Sequence, residues 1–207
     1  YTILQKDGRD VGGLYRQMKE HEAEGIPPNW IPYVTVDNVD EAREKAVQLG
    51  AEGGPEPFDV MEMGRMAMLR DPVGAFIALW QPKKHIGAGV VNEYGTLCWN
   101  ELQTPDRDSA QQFYTALFGW SAKVSPEYVE FHRPDGAAGG MRDFEHGPGH
   151  WLSYFAVNDA DAAVRTAEGL GGGVLMPLMD IPNVGRMAVL RDPQGAAFAV
   201  IKLSMSS

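Results

Sequence analysis

Apolar positions along the chain follow two periods. Between Asp106 and Gly119, the residues Ala110, Phe113, Tyr114, Leu117 and Phe118 recur at the spacing of one helix face. Asp106 or Asp108 is placed to cap the start of that helix, and Gly119 its end. A second helix is expected from Asp159 to about Leu170, with Ala163, Val164 and Ala167 inward and the glycines at 171–173 closing it. Short apolar runs bounded by turn residues predict strands instead. These are "TLCWNELQT" (96–104), "WLSYFAV" (151–157), and "GRMAVLR" with "AAFAVIKL" on either side of Asp192-Pro193-Gln194-Gly195. "YVEFHRPDGAAGGM" reads as a hairpin turning at Asp135-Gly136.

The pattern is written twice. "GRMAMLRDPVGAFIAL" (64–79) returns as "GRMAVLRDPQGAAFAV" (185–200), and "NWIPYVTVDNVDEA" (29–42) lies on "HWLSYFAVNDADAA" (150–163), both at an offset of 121. After a loop of different length, "YTILQKDGRDVGGLYR" (1–16) lies on "YVEFHRPDGAAGGMRD" (128–143). Residues 95–127 have no counterpart before Tyr1, so a strand and helix are expected to precede this sequence in the complete chain. Each copy is made of a smaller unit, a strand, a helix and three strands, seen twice in the second copy at 95–144 and 150–203. Two such units side by side would form one curled sheet with helices outside and a cup inside. The expected fold class is therefore α+β, with tandem βαβββ units forming curled mixed sheets. The expected domains are 1–82 and 95–203, joined by a linker at 83–94, each with eight strands when complete.

Composition narrows the partners. Lys and Arg number 18 against 28 Asp and Glu, a formal charge of −10, which argues against binding the phosphates of nucleic acid. A single cysteine, Cys98, leaves no internal disulfide to form, which is compatible with a cytoplasmic protein. No apolar run reaches the length of a membrane span. The expected partner is a small organic molecule, with self-association into a homo-oligomer left open.

The motif of strand, acidic corner and helix ending in "FYTALFGW", followed by a terminal "RDPQGAAFAV", resembles the vicinal oxygen chelate superfamily of glyoxalases, bleomycin-resistance proteins and extradiol dioxygenases. The linker "QPKKHIGAGVVNEYG" (81–95) and "GTLCWNEL" further resemble a two-domain actinobacterial subfamily. The resemblance implies two domains of that type, each normally holding Fe, Mn, Ni or Zn in its cup through His, Glu or Gln. The superfamily's first-strand ligand falls seven residues before the corner aspartate, here at Trp99, and its counterpart in the next unit at Leu152. The final carboxylate falls at Ala199, and at Ala78 in the first copy. These side chains cannot coordinate a metal, so no metal or other cofactor is expected at the usual position of the second copy.

By the same alignment Trp99, Glu101 and Gln103 share the cup face of their strand. Glu101 is then a candidate general base, since a pocket carboxylate with few cations nearby titrates high; the competing reading is a rim salt bridge. Tyr33 and Tyr154 are repeat equivalents on the cup face, and Trp80 shares the inward parity of Ala78. A lining of Trp and Tyr suits a flat organic ligand, and in the second copy it is expected between Trp99 and Tyr154. Plain core filling is the alternative. Trp30 and Trp151 have the opposite parity and should pack under helices. Met61, Met63, Met66 and Met68 read as adaptable core filler. Arg65 and Arg186 each follow an aspartate by six residues (Asp59, Asp180), as an ion pair bracing the final hairpin would require. His146 and His150 flank Gly-Pro-Gly and read as loop histidines. His132 is expected at a hairpin surface, and His21 and His85 in polar connections.

Three functions fit these residues. The first is a binding protein that takes a small organic ligand in a cup without the usual metal. The second is a glyoxalase-like lyase, isomerase or dioxygenase-type enzyme using a nonstandard metal site or acid–base groups. The third is a scaffold for protein partners with degenerate pockets.

Overall fold

The computed structural model describes residues 1–17, 19, 23 and 25–204, so His21 lies outside the described residues. The chain is α+β with mixed sheets. Strands β1 (Thr2–Lys6) and β2 (Arg9–Leu14) form a hairpin. There follow β3 (Tyr33–Thr35), helix α1 (Val39–Gln48), β4 (Glu52–Gly53), β5 (Phe58–Val60), β6 (Gly64–Arg70) and β7 (Phe76–Pro82). Next come β8 (Leu97–Thr104), α2 (Arg107–Phe118), β9 (Ser121–Val124), β10 (Val129–Arg133) and β11 (Gly136–Asp143). The chain closes with β12 (His150–Ala156), α3 (Ala160–Gly169), β13 (Gly173–Ile181), β14 (Gly185–Arg191) and β15 (Ala197–Leu203). No described helix is long and apolar enough to cross a membrane.

Two compact units interleave along the sequence. One is built from Tyr1–Trp30, Ala88–Cys98 and the residues from Leu152 onward; the other from Ile31–Gly87 and Trp99–Trp151. In the first, the strand order β13-β14-β15-β12 places β12 parallel to β15. Helix α3 lays Ala163, Val164 and Ala167 on a cluster that includes Ala188, Leu190 and Val200, and Trp30 meets Phe155 edge-on at 5.0 Å. In the same unit Glu93 of the linker segment receives Lys6 and Arg9, which ties down the β1–β2 hairpin.

The second unit contains two short sheets, β3-β7-β6-β4 with β5 alongside β6, and β8-β11-β10-β9. One core serves both. Val39 and Ala46 of α1, Ala67 and Leu69 of β6, and Ile77 and Leu79 of β7 pack with Leu102, Val129, Phe131 and Met141 of the other sheet and with Phe113, Tyr114 and Leu117 of α2. Trp151 lies in this core, its ring 5.3 Å from Tyr114. Because side chains alternate along a strand, the neighbours of these core residues face the opposite way. Trp99, Glu101 and Gln103 therefore share the face of β8 turned away from the helices.

Local chemistry explains the element ends. Asp106, rather than Asp108, caps α2 by accepting from Ser109 N at 3.0 Å, and Gly119 ends it in the left-handed region at φ 68°. Asn38 and Asp159 cap α1 and α3 in the same way. Gly74 and Gly195 hold φ of 99° and 103° in the two Asp-Pro-X-Gly turns. The arginines of the doubled phrase do brace their hairpins, yet their strongest partner is a helix. Arg65 makes a two-pronged contact to Asp40 at 2.8 Å and a longer one to Asp59 at 3.5 Å. Arg186 grips Asp161 at 2.8 and 3.1 Å and Asp180 at 3.0 Å. Each guanidinium thus joins a closing hairpin to the first turn of a helix and holds Asp40 or Asp161 below the usual carboxylate range. The methionine expectation holds only in part. Met66 is buried, whereas Met61 and Met63 are exposed where the chain turns between β5 and β6, Met61 at φ 47°.

Candidate functional site

The face of β8 away from the helices brings three expected residues together. Glu101 is 7% exposed, and its Oε1 accepts from Gln103 Nε2 at 2.5 Å. Trp99, two residues before it, donates its indole N–H to the hydroxyl of Tyr128 at 2.8 Å. Tyr128 in turn hydrogen-bonds to Glu101, its phenol donating to the carboxylate. One hydroxyl thereby links an aromatic donor to a buried acid. Burial first, and then the negative charge of Glu101, push the Tyr128 phenol well above its ordinary pKa, so it stays protonated.

Register extends this row. Glu101 on β8 stands opposite Gly140 on β11, Gly140 opposite Glu130 on β10, and Glu130 opposite Lys123 on β9. Directly paired residues point to the same side of a sheet, so Glu101, Glu130 and Lys123 share one face. His132, two residues beyond Glu130, places Nε2 3.1 Å from its carboxylate. Sequence reasoning passed over Tyr128 and Glu130 and assigned His132 to a plain surface. The available signal was parity: Val129 and Phe131 are core residues, which turns 128, 130 and 132 to the opposite side.

The remaining expected residues lie elsewhere. Tyr33 and Trp80 are neighbours on the β3–β7 face, with ring centres 6.3 Å apart. Tyr33 is 49% exposed, while Trp80 is buried and donates Nε1–H to the His85 carbonyl at 2.9 Å. Tyr154 is buried on β12, opposite Ala199 of β15, and its carbonyl accepts the Cys98 thiol at 3.4 Å. Burial raises that thiol to about 11, which keeps it protonated and unreactive at neutral pH. His146 and His150 lie against the Phe144 ring in the loop before and at the start of β12.

Three parallel strand pairs share one plan. Tyr33 faces Ala78, Tyr154 faces Ala199, and Glu101 faces Gly140. These closing-strand positions are where a superfamily metal would take its carboxylate, and each holds alanine or glycine. At the first-strand position, Trp99 offers an N–H already donated to Tyr128, and an N–H group has no lone pair for a cation. Among the described residues, no three His, Cys, Asp or Glu side chains come together as a metal site would require. The residues present do not fit the superfamily's usual metal.

Comparison with known proteins settles the family. A family model described as the glyoxalase/bleomycin resistance protein/dioxygenase superfamily matches residues 96–200. The chain belongs to this superfamily. It is 41% identical over 209 aligned positions to "Putative glyoxylase CFP32" of Mycobacterium tuberculosis, covering 98% of this chain and 80% of that protein. It is 32% identical to "Anthracycline biosynthesis protein DnrV" of Streptomyces peucetius, with the same two coverages. Among solved structures, the Mn(II)-bound glyoxalase of Novosphingobium aromaticivorans superposes with a TM-score of 0.58 at 13% identity, covering 82% of this chain and 61% of that one. A variant of homoprotocatechuate 2,3-dioxygenase from B. fuscum gives 0.57 at 15% identity, covering 84% and 55%. At such identities the likeness concerns the fold.

Proposed function

We propose that this superfamily member binds a small organic molecule against the β8–β11–β10 face, without the family's usual metal. The observation that carries the reading is the Trp99–Tyr128–Glu101 chain of hydrogen bonds, in which the first-strand ligand position has become an aromatic donor. Trp99 and Tyr128 offer rigid flat area, and Glu101 with Gln103 supplies oriented polar contacts, the composition of a small-molecule site. Two relatives named for anthracycline biosynthesis also favour a small organic ligand over a macromolecule. Tyr33, Trp80 and Tyr154 are retained as further proposed ligand contacts, each on its own face, and residues 1–82 and 95–203 as the proposed domains. The test is a thermal-shift screen of purified protein against metabolites and antibiotics, followed by tryptophan fluorescence. A binder should raise the melting temperature, because it stabilises only the folded state. Glu101→Ala and Tyr154→Ala should each weaken binding. A broad screen without any shift would reject the reading and leave a scaffold for protein partners. Stoichiometric Fe, Mn, Ni or Zn in the purified protein, lost on Glu101→Ala, would reject its metal-free part.

A second reading rests on Glu101 and on the Glu130–His132 pair. A carboxylate and an imidazole on one face could carry acid–base chemistry of a lyase, isomerase or oxygenase type. It requires turnover of a bound ligand, lost in Glu101→Gln while binding survives.

A further inference from the structure

The hairpins β1–β2 and β10–β11 share a device that the family's metal scheme does not use. Both have the same register, with a bulge between Leu4 and Gln5 in one and between Phe131 and His132 in the other. In both, a tyrosine just before the first strand crosses a glycine on the second. A Cβ built at Gly140 would overlap the Tyr128 hydroxyl, and one built at Gly13 would overlap the Tyr1 hydroxyl. Tyr128 is fixed at its root as well, since its carbonyl accepts both Ser125 N and Ser125 Oγ at 2.8 Å. Gly140 is also the closing-strand position opposite Glu101. The phenol therefore occupies the room that a side chain at Gly140 would need.

We infer that Tyr128 is the specificity-determining residue of this face, and that the face selects a planar ligand carrying its own hydroxyl proton, a phenol or an enol. The inference rests on the binding reading above and follows from counting donors and acceptors. The Trp99 N–H is donated to Tyr128, and the Tyr128 O–H is donated to Glu101. The groups that remain to meet a ligand are chiefly acceptors: the second lone pair of the phenol, the Glu101 oxygens and the amide oxygen of Gln103. A ligand hydroxyl can donate into this set. Its methyl ether cannot, and would bury acceptors with nothing to satisfy them. The Trp99 and Tyr128 rings supply the flat contact that makes the ligand planar.

The test compares 7-hydroxycoumarin with 7-methoxycoumarin by calorimetry on the full chain, at about pH 6 so that the phenol keeps its proton. The hydroxyl compound should bind at least ~10-fold tighter, since a site built to pair a hydroxyl discriminates against its absence. Tyr128→Phe should remove most of that preference while leaving both compounds able to bind. Gly140→Ala should do the same by displacing the hydroxyl without deleting it, and so decides the matter if Tyr128→Phe fails to fold. A merely structural tyrosine would lower both affinities together and keep their ratio, which would overturn the inference. Equal binding of the two coumarins to the unaltered protein would also overturn it, while leaving the binding reading intact. If neither coumarin binds, the inference fails, and the broad screen alone decides whether the face binds small molecules.

Discussion

At the scale of single residues, equivalent positions in the repeat can hold different chemistry. Asp71 and Asp192 open the same turn, and each accepts two backbone N–H groups, from Val73 and Ala75 or from Gln194 and Ala196. Asp192 is exposed. Asp71 is 3% exposed, because α2 brings Tyr114 against it: the phenol donates to Asp71 Oδ2 at 2.6 Å and accepts Trp151 Nε1–H at 3.1 Å. Burial pushes the Asp71 carboxyl above its ordinary value, against the lowering effect of these donors. A carboxyl with a raised folded pKa favours folding most when protonated. Its contribution is complete below the ordinary value of about 4 and declines as pH rises through the raised one. Urea unfolding of the parent and of Asp71→Asn at about pH 4 and about pH 7 checks this. The parent should lose stability relative to the variant between the two pH values, because the other carboxylates titrate in both proteins. A relative gain would mean that the hydrogen bonds to Tyr114 and the backbone outweigh burial. Periodicity located Tyr114 on the inner helix face, but it could not reveal that an aspartate from a turn far away in sequence would meet it there.

At the scale of elements, the sequence was most legible. Helix faces, caps and turns depend on neighbours within a few residues, so Asp106, Gly119, Asp159, Gly74 and Gly195 could be placed from their order alone. Replacing Asp106 or Asp159 by alanine should each cost about 1 kcal/mol, the usual value of a helix cap. Gly119→Ala should cost about the same, and for a purely backbone reason. Its φ is 68°, and a Cβ there would meet nothing within 4 Å. Shifts in the urea midpoint with unchanged slope would bear out all three. The Arg65 and Arg186 braces were half legible. The aspartates six residues earlier were found, whereas Asp40 and Asp161 became visible only when a helix start was laid against a hairpin. Met61 and Met63 failed as core residues because their turn carries them off the sheet.

At the scale of the whole molecule, the shared core of the second unit has a consequence for autonomy. Phe113, Tyr114 and Leu117 of the second sequence copy pack with Val39, Leu69 and Ile77 of the first. A fragment of residues 95–204 alone would expose that apolar surface. It should therefore show weak near-ultraviolet circular dichroism and a broad urea transition, where the full chain unfolds cooperatively. A fragment that melts as sharply as the parent would show that each copy carries a sufficient core of its own.

The sequence by itself determined which segments are strands and helices, where they end, that the pattern is doubled, and that the superfamily's metal positions hold Trp99, Leu152, Ala199 and Ala78. All of these follow from local spacing or from position within a repeat. Only the tertiary structure decided partners far apart in sequence. It laid Tyr128 across Gly140 to join Trp99 and Glu101, set Glu130 and His132 on the same face, and buried Asp71 under Tyr114. The physical reason is that a side chain's period fixes the face it shows, while what meets that face depends on strand pairing and helix packing between segments that no local pattern relates.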